Sequence, residues 1–394
     1  RTPLAAASVA QVHSAQLKSG EHIVIKVIRP NIKKIIDRDL KLMHRLAQII
    51  QRCFSLGKQL RPIELVAEFK HTIHNELNLQ YEAANASLLK RNFAQSDLMY
   101  VPEIYWDYCR SNVMVMERIY ATKISDRVAL KNKKVDFKKL AENGVKIFFT
   151  QLLEHNFFHA DMHPGNLFID TSNPQSPQYV GVDFGIMGQL NKNDLSYVAQ
   201  NFLAFFNRDY QKIARLFIQA GWVPADTRLE HLEAAIRTTA EPLQQKSLQD
   251  LSLGALLTTL LDVARSYHMN MQPQLLLLKK TLVNIEALGR NLYPNLDLWN
   301  TAQPLLSEWE KKQRSPKNLV KIFRHEWQLQ LQSLIKLPQQ MDQYLQQEHK
   351  PPVASKPIRH WICGTCIALG GVISAFHPQF MAYTLILTGV AFLI

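Results

Sequence analysis

Cysteine is scarce in this chain. Four cysteines in 394 residues are too few for a disulfide framework, and the count suits a protein of a reducing compartment. Cys363 and Cys366 have the Cys-x-x-Cys spacing, but they lie in an apolar stretch without a metal-binding or redox context, so we interpret them as ordinary apolar-segment cysteines. A secretory signal peptide is not evident either. These absences argue against a secreted, disulfide-stabilised protein.

Acidic residues are outnumbered by basic ones. The chain has 46 Lys and Arg against 33 Asp and Glu, a net charge of +13, with basic clusters at residues 131–134, 138–139 and 311–324. This balance suits an anionic membrane surface or a polyanionic ligand, although part of it is expected on solvated helix surfaces. No helix-turn-helix, zinc-finger or RNA-binding aromatic motif accompanies the charge, so we predict no nucleic-acid partner.

Two acidic turns carry the strongest functional signal. Asp161 and Asn166 stand five positions apart in a turn rich in His, Pro and Gly, and Asp183 follows in an Asp-Phe-Gly turn. Apolar runs at residues 167–169 and 179–182 predict strands between the two turns. Phosphoryl transfer uses one carboxylate on the attacking hydroxyl, and an Asn with a second carboxylate to hold Mg²⁺ on the phosphates. The order predicts kinase-like catalytic and metal loops; the simpler alternative is a polar hairpin.

Glycine is missing where such a chain would place its nucleotide-covering loop. Ala5, Ala6, Ala7 and Ser8 stand there instead, before a β-branched run that predicts a strand at residues 22–28. Small side chains still allow close backbone approach to phosphate, but alanine does not readily adopt positive φ angles, so the loop should be stiffer. Lys26 lies in the middle of this strand, and a lysine in a buried strand needs a partner.

A helix predicted over residues 62–93 should supply that partner. We select Glu82 among its glutamates, because its neighbours Ala83 and Ala84 are small enough to let the helix approach the sheet. Before it, apolar spacing predicts a helix at residues 31–54.

Two further strands are predicted at residues 101–105 and 112–119. Backbone groups near Glu117 to Ile119 are expected to bind an adenine edge. A helix over residues 138–156 leads into the first acidic turn. From 191 to 345 the pattern is helical, with breaks at 221–224, 272–273 and 293–294, and the apolar run at 201–206 is interpreted as core.

The C-terminal residues are apolar. After a Pro-rich linker at residues 347–357, two runs within 358–394 predict a pair of transmembrane helices, with a buried apolar tail as the alternative. Lys356 and Arg359 would keep the catalytic part cytoplasmic. The predicted fold is therefore α+β and protein-kinase-like, with a small β-rich N-lobe (1–120), a helical C-lobe (121–346) and a C-terminal transmembrane helical hairpin.

These motifs together resemble the UbiB/ADCK family of atypical kinases, in its bacterial branch. The resemblance rests on residues 5–13, 24–30, 75–79, 158–166 and 182–185 and on the two terminal apolar runs. It implies a role in ubiquinone (coenzyme Q) biosynthesis at the bacterial inner membrane. It also implies an N-terminal extension, and since the chain starts at Arg1 within a patterned segment, we expect that an upstream portion exists.

The resemblance assigns a role to each motif position. Lys26 would contact the ATP phosphates and pair with Glu82, Asp161 would accept the proton, and Asn166 with Asp183 would bind Mg²⁺. The residues implied to cover or bind ATP are Leu4, Ala5, Ala6, Ala7, Ser8, Val9, Ala10, Gln11, Val12, Lys26, Glu82, Glu117 and Ile119. The expected cofactors are thus ATP and Mg²⁺.

Three functions fit this sequence. One is an ATPase that drives the handling of ubiquinone precursors, which the resemblance favours. Another is a kinase for a protein or small molecule, and the third is a nucleotide-binding scaffold or lipid-binding module without essential catalysis. The expected partners are anionic membrane lipid and ubiquinone precursors or biosynthetic enzymes, and homo-oligomerisation is left open. The retention of Lys26, Asp161, Asn166 and Asp183 argues against a catalytically dead protein.

Overall fold

The computed structural model describes residues 2–6, 9–53, 62–244, 252–267, 269, 272–313 and 315. The predicted linker and membrane hairpin at 347–394, and the helical pattern beyond residue 315, lie outside these residues. Within the described ranges, no helix has the length and apolar character that a membrane crossing requires.

The N-terminal sheet is antiparallel and contains Lys26. Its strands, in spatial order, are β1 (Ala5–Ala6), β2 (Ala10–Gln16), β3 (His22–Ile28) and β5 (Val113–Glu117). The β-branched residues of β3 suit a central strand, and Gly20 adopts a φ of 104° in the turn that precedes it. Lys26 pairs in register with Val12 on one side and Met114 on the other. The predicted strand–turn–strand unit is confirmed.

Three helices follow β3 or pack beside it: α1 (Ile32–Cys53), α2 (Pro62–Glu76) and α3 (Leu79–Asn92). The single helix predicted over residues 62–93 is wrong, because the chain breaks between Glu76 and Leu79. Asn78 has an extended backbone and its side chain accepts a hydrogen bond from the Gln80 N–H at 3.1 Å, so it starts a new helix as an N-cap. Helix α3, which begins after this break, contacts strand β5.

A second four-stranded sheet frames the acidic turns. Its spatial order is β4 (Met99–Tyr100), β9 (Gln178–Gly181), β8 (Leu167–Asp170) and β6 (Thr122–Lys123). The predicted strands at 167–169 and 179–182 are present. The strand predicted over 101–105 is wrong: those residues make only one bridge, from Ile104 to Met116. Pro102 has no N–H to donate to a ladder, and the paired segment is instead Met99–Tyr100.

A short two-stranded ladder brings the two acidic turns together. Strand β7 (Phe158–His159) pairs antiparallel with β10 (Met187–Gly188), with His159 opposite Met187. Asp161 follows β7, and Asp183 lies between β9 and β10. The ladder therefore fixes the spacing between the two loops.

The rest of the described chain is helical. The helices are α4 (Arg127–Asn132), α5 (Phe137–Phe149), α6 (Lys192–Phe206), α7 (Tyr210–Gln219), α8 (Leu229–Gln244), α9 (Leu253–Ser266), α10 (Pro273–Leu292) and α11 (Leu298–Gln313). The three predicted breaks are confirmed, and Phe202, Ala204 and Phe205 are buried, as expected of core. The helix predicted over 138–156 is shorter, because α5 ends at Phe149 and a π-helical turn, Thr150–Glu154, follows it.

One hydrophobic core joins these elements. It includes residues of β3, α3, α5, β7 and the helices from α6 to α11. Helix α10 packs beside α5 and α9 and also contacts β10. The helical part of the chain therefore packs close to the loop that carries Asp161.

Candidate functional site

A cavity of about 280 Å³ lies between the N-terminal sheet and the acidic turns. Its lining residues are Val9, Lys26, Asn75, Glu76, Asn78, Leu79, Glu82, His159, Asp161, Asn166, Asp183, Gly185 and Ile186. The predicted site residues Lys26, Glu82, Asp161, Asn166 and Asp183 come from four separate segments, and the fold brings all five to this cavity.

Lys26 and Glu82 form a buried ion pair. The Lys26 Nζ lies 2.6 Å from Glu82 Oε1, and the two residues are 8% and 5% exposed. Burial lowers the pKa of Lys26, but the carboxylates of Glu82 and Asp183 outweigh it and leave the pKa above its ordinary value. Burial raises the pKa of Glu82, and Lys26 opposes that rise. The predicted pairing is present, and Lys26 is held as a cation.

Helix α3 fixes the Asp183 loop as well as Lys26. The Phe184 N–H donates to Glu82 Oε1 at 3.4 Å, and the Asn85 side-chain amide donates to the Phe184 carbonyl at 3.0 Å. Ala83 is fully buried, as expected, but Ala84 is exposed; Ala86, one helical turn after Ala83, is the second small residue against the core.

Asp183 is positioned to bind a cation. Its Oδ2 lies 3.4 Å from Lys26 Nζ, and its Oδ1 accepts a hydrogen bond from the Gly185 N–H at 3.1 Å. Burial opposes ionisation of this carboxyl, but Lys26 and the Gly185 N–H outweigh it and lower its pKa. About a third of the side chain is exposed to the cavity, so a charged oxygen is accessible.

The buried His159 ring connects the two acidic turns through hydrogen bonds. Its Nδ1 accepts a hydrogen bond from the Asp161 N–H at 3.1 Å, and its Nε2 lies 2.7 Å from the Asp183 carbonyl. Burial lowers the pKa of His159, which keeps the ring neutral at pH 7. A neutral ring protonated on Nε2 satisfies both bonds. The backbone N–H of His159 donates to Gln151 Oε1 at 2.9 Å, so the π-helical turn holds strand β7.

The loop from Asp161 to Asn166 presents both side chains to the cavity. Residues Pro164–Asn166 form one 3-10 turn, and the Val182 N–H donates to the Asn166 carbonyl at 3.2 Å. The Asp161 Oδ1 accepts a hydrogen bond from the Lys280 Nζ at 2.8 Å, a contact from helix α10.

The donor set fits a metal that arrives with phosphate. Asn166 and Asp183 line one cavity, and the described residues contain no group of three or more His, Cys, Asp and Glu side chains that could hold a metal ion. Mg²⁺ commonly binds through one or two carboxylates, with substrate phosphates and water completing its shell. The amide of Asn166 and the ionised Asp183 therefore match Mg²⁺ on a nucleotide better than a metal bound by protein alone.

The predicted nucleotide cover lies only partly at this cavity. Strand β1 pairs with β2 in a register that places Ala5 opposite Val12 and Ala6 opposite Gln11. Val9 lines the cavity, Ala10 is buried in β2 and Leu4 is exposed. Two members of the set, Ala7 and Ser8, are outside the described residues.

The predicted adenine-binding segment lies beyond the cavity lining. The Glu117 N–H donates to the Glu103 carbonyl at 2.9 Å, and the Glu117 carboxylate accepts the Tyr100 hydroxyl at 2.6 Å. The next N–H, of Arg118, donates to the His22 carbonyl at 3.0 Å. Glu117 therefore uses its own N–H within the fold, and Ile119 follows at the start of the connection to β6.

Several residues at the site were not predicted as site residues from the sequence. His159 stands within the recognised motif, so its position was available. Asn85 and Lys280 act across long sequence separations, whereas Gln151 contacts His159 eight positions later; none of the three has a local signature. Their roles follow from the packing of the π-helical turn, α3 and α10 against the two loops.

Two protein-family models match the chain. One is described as the ABC1 atypical kinase-like domain and matches residues 1–217; the other is described as the UbiB helical domain and matches residues 236–297. Lys26, Asp161, Asn166 and Asp183 fall in the first segment, and Lys280 falls in the second.

Curated bacterial proteins resemble the whole chain. A protein named "Probable protein kinase UbiB" from Pseudomonas paraeruginosa is 48% identical over 403 residues, covering 100% of this chain and 75% of the relative. A protein of the same name from Marinobacter nauticus is 52% identical over 337 residues, covering 86% of this chain and 62% of the relative. The chain thus spans about three quarters of the first relative's length.

A solved structure shares the fold. The complex of Rv3197 with erythromycin from Mycobacterium tuberculosis superimposes with a TM-score of 0.52 at 19% sequence identity. The match covers 77% of this chain and 76% of that chain. At this identity the likeness speaks for the fold alone. Together with the matching family model, it identifies the mixed α and β architecture as kinase-like.

Proposed function

The chain belongs to the UbiB family of ABC1 atypical kinase-like proteins, and from that premise we propose that it consumes Mg-ATP to support ubiquinone biosynthesis. The observation that carries this proposal is the cavity geometry. Lys26 is held as a cation by Glu82 and Asp183, within the same cavity as Asp161 and Asn166. Phosphoryl transfer requires a phosphate-binding cation, a proton acceptor and two metal ligands in one place, and Lys26, Asp161, Asn166 and Asp183 would provide them.

Each residue has a defined task in this proposal. Lys26 neutralises charge on the phosphates, and Glu82 orients it from α3. Asp161 accepts the proton of the attacking hydroxyl or water, and the Lys280 ammonium lies 2.8 Å from its Oδ1. Bound Mg²⁺, held by Asn166 and Asp183, would supply charge neutralisation on the phosphate oxygens. Val9 and the short β1–β2 hairpin would cover the nucleotide.

Hydrolysis is the reaction that we propose, with ATP turnover used for the handling of lipophilic ubiquinone precursors or of the enzymes that act on them. The name "protein kinase" borne by the relatives keeps transfer to a protein or small molecule as the second candidate. A catalytically silent nucleotide-binding scaffold is the third. The residues at the cavity are shared by hydrolysis and transfer, so the acceptor must be identified by experiment.

A membrane surface is the proposed place of action. Helix α1 has an exposed apolar strip, and basic residues lie on the neighbouring sector of the same helix. The strip consists of Ile35, Leu42, Met43, Leu46, Ile49 and Ile50, and the basic residues are Lys34, Arg38, Lys41, Arg45 and Arg52. A helix of this kind binds in the interface of an anionic bilayer. The C-terminal hairpin predicted at 358–394 would anchor the chain in the bacterial inner membrane, with its catalytic part cytoplasmic.

Genetic complementation tests the catalytic proposal. A strain lacking its own copy would express the full-length protein as wild type or as Asp161→Asn, and ubiquinone would be quantified by mass spectrometry. If ATP consumption is the function, the variant fails to restore ubiquinone although it accumulates to wild-type level. A scaffold would behave differently, and full restoration by Asp161→Asn would reject the proposal. Asp107→Asn, an exposed carboxylate away from the cavity, is the matched control.

A further inference from the structure

Lys280 lies beside the cavity, and the proposed reaction gives it no role beyond its contact with Asp161. It lies on α10, in the segment that matches the helical domain, 119 residues after Asp161. Its Nζ is 2.8 Å from Asp161 Oδ1, within ion-pair distance of the proposed proton acceptor. A helix outside the kinase-like segment therefore places a positive charge where the reaction is proposed to occur.

The backbone beneath Lys280 is anchored, whereas its ammonium is accessible. The adjacent Thr281 is fully buried, and its hydroxyl is shared between two carbonyls, that of Leu277 in the same helix at 2.8 Å and that of Ala160 at 3.1 Å. The contact with Ala160 ties α10 to the residue that precedes Asp161. The Lys280 side chain is 54% exposed and that of Asp161 is 38% exposed. The helix is thus fixed against the catalytic loop while the lysine tip can exchange one anionic partner for another.

Apart from the proposed Mg²⁺, positive charge is scarce in this cavity. Its lining includes four carboxylates, those of Glu76, Glu82, Asp161 and Asp183, and Lys26 is the one lysine or arginine among the described residues of the lining. Lys26 already contacts Glu82 and Asp183. The catalytic loop itself offers Met162, His163, Pro164 and Gly165 between Asp161 and Asn166, with no lysine or arginine.

Lys280 also acts electrostatically on the far wall of the cavity. Burial raises the pKa of Glu76, as do the carboxylates of Asp183 and Asp161, whereas Lys26 and Lys280 act in the opposite direction. Lys280 therefore lies close enough to Glu76 and Asp161 for its charge to influence both sides of the space between them.

We propose that Lys280 contacts the terminal phosphate of bound ATP, so that the helical domain supplies a phosphate-binding cation to the kinase-like domain. This inference rests on the proposed function, because it needs ATP in the cavity. Before nucleotide binds, the ammonium pairs with Asp161. When the terminal phosphate is present, the ammonium turns to it and leaves the Asp161 oxygen for the attacking water, or for the hydroxyl of an acceptor. A diphosphate lacks this group and leaves the Lys280–Asp161 pair in place.

A purely structural ion pair would predict a different outcome. Because both side chains are well exposed, the Lys280–Asp161 pair should contribute little to stability, and Lys280→Ala should fold normally. The informative quantity is then selectivity between nucleotides. A structural role would alter ATP and ADP binding equally or not at all, whereas contact with the terminal phosphate affects ATP alone.

The experiment measures dissociation constants of Mg-ATP and Mg-ADP by calorimetric titration of the full-length protein. Wild type is compared with Lys280→Ala, Lys280→Arg and the control Lys279→Ala, which removes the adjacent lysine of the same helix. We expect Lys280→Ala to weaken ATP binding about tenfold or more and to change ADP binding less than twofold, because a charge-assisted hydrogen bond to phosphate is lost. Lys280→Arg should restore most of the ATP affinity, and Lys279→Ala should match wild type. Circular dichroism should give one melting temperature for all four.

The outcomes separate this inference from the proposed function. If wild type binds Mg-ATP but Lys280→Ala keeps the same ratio of ATP to ADP affinity, the inference is wrong and the proposed function stands. If wild type binds neither nucleotide, the proposed function fails and the inference fails with it. A Lys279→Ala variant with the same loss would show a general charge effect and would also overturn the inference.

Discussion

The Lys26–Glu82 ion pair is the residue-level feature on which the site depends. Two charges are withdrawn from water here, and they are tolerated because each satisfies the other and both contact the Asp183 loop. Loss of one partner leaves an uncompensated buried charge. The pair therefore holds β3, α3 and the metal loop in one arrangement, and its mutation should affect stability as well as nucleotide binding.

We predict that Lys26→Ala and Glu82→Ala each lower the free energy of unfolding by about 3–5 kcal/mol, the usual cost of breaking a buried pair. The double variant should lose clearly less than the sum, because neither charge is then left unpaired. Urea denaturation followed by fluorescence measures all three. Strict additivity of the two losses would contradict a coupled pair.

Lys26→Ala should also weaken ATP binding in a nucleotide titration, and unchanged affinity would reject its proposed contact with phosphate.

His159 gives a prediction for the pH dependence of stability. Burial lowers its pKa in the folded state below the ordinary value of 6.5, so between these two values the unfolded chain binds more protons than the folded one. The stability that His159 contributes is present above pH 6.5 and is lost as pH falls below it. Wild type should therefore lose stability on acidification by up to about 1.4 kcal/mol per pH unit more than His159→Asn.

The measurement compares urea unfolding of the two proteins at intervals from pH 7.5 to 5. All other groups are common to both proteins, so the difference between the curves isolates His159. Parallel curves would contradict a ring that is neutral in the folded protein.

The predicted residues of the two acidic turns share one property, which is a short motif with fixed spacing. Asp161, Asn166 and Asp183 were predicted because phosphoryl chemistry constrains their order along the chain. Glu82 required a second argument, from the small residues beside it, and that argument was right about Ala83 and wrong about Ala84. Lys280 and Gln151 could not be predicted in this way. The partner of Lys280 is set by how a distant helix packs, and that of Gln151 by the π-helical turn that precedes His159; no local pattern records either.

At the scale of elements, helix existence was predictable and helix ends were less so. Apolar spacing predicted α1, and Gly and Pro residues marked three of the breaks between the later helices, but the break between Phe206 and Tyr210 was not predicted. The spacing of apolar residues does not change at residues 77–78, so it did not predict the break between α2 and α3. That break depends on one capping side chain, that of Asn78. The π-helical turn after α5 was hidden for a related reason. It widens one turn so that Gln151 faces the His159 backbone, and composition does not reveal such a turn.

The contact between α9 and α10 gives a prediction at this scale, because α10 carries Lys280. A Cβ on Gly254 of α9 would lie 2.6 Å from Val283 Cγ2 and 3.1 Å from Val283 Cα. Gly254→Ala should therefore destabilise the protein by about 1–3 kcal/mol, although alanine favours helix more than glycine. Thermal unfolding measures this effect. Val283→Ala should restore most of the loss, since Val283 is 43% exposed and its own truncation costs little.

The exposed Asp262→Ala on the same helix is the control and should remain within about 0.5 kcal/mol of wild type. A Gly254→Ala variant as stable as wild type would show that α9 and α10 are not in tight contact. In that case α10 would also be less firmly fixed against the catalytic loop than Thr281 indicates.

For the whole molecule, the fold class was predictable because the order of elements follows the order of the motifs. The strand with Lys26, the helix with Glu82 and the two acidic turns appear in the sequence in the order in which the fold uses them. The helical domain was predicted only as a helical lobe. Its contact with Asp161 through α10 is a property of the folded chain and connects the two family segments.

The basic sector of α1 leads to a prediction about the membrane. We expect anionic vesicles to stimulate phosphate release by the full-length protein. Lys41→Ala with Arg45→Ala should raise the vesicle concentration for half-maximal stimulation about 30-fold, from roughly 1 kcal/mol for each basic side chain near the surface. The control double variant, Lys131→Ala with Lys138→Ala, removes two exposed lysines on other helices and should behave as wild type. Equal loss in both doubles would assign the effect to net charge rather than to α1.

The most direct test of the central claim, that this cavity consumes Mg-ATP, is phosphate release by purified full-length protein with anionic vesicles. Wild type, Asp183→Asn and the control Asp107→Asn would be measured with Mg²⁺ and with EDTA. We expect Mg²⁺-dependent release by wild type and Asp107→Asn, and a rate lowered about 100-fold or more in Asp183→Asn, because an ionised metal ligand is lost. Release that persists unchanged in EDTA, or that is equal in Asp183→Asn and wild type, would contradict the claim.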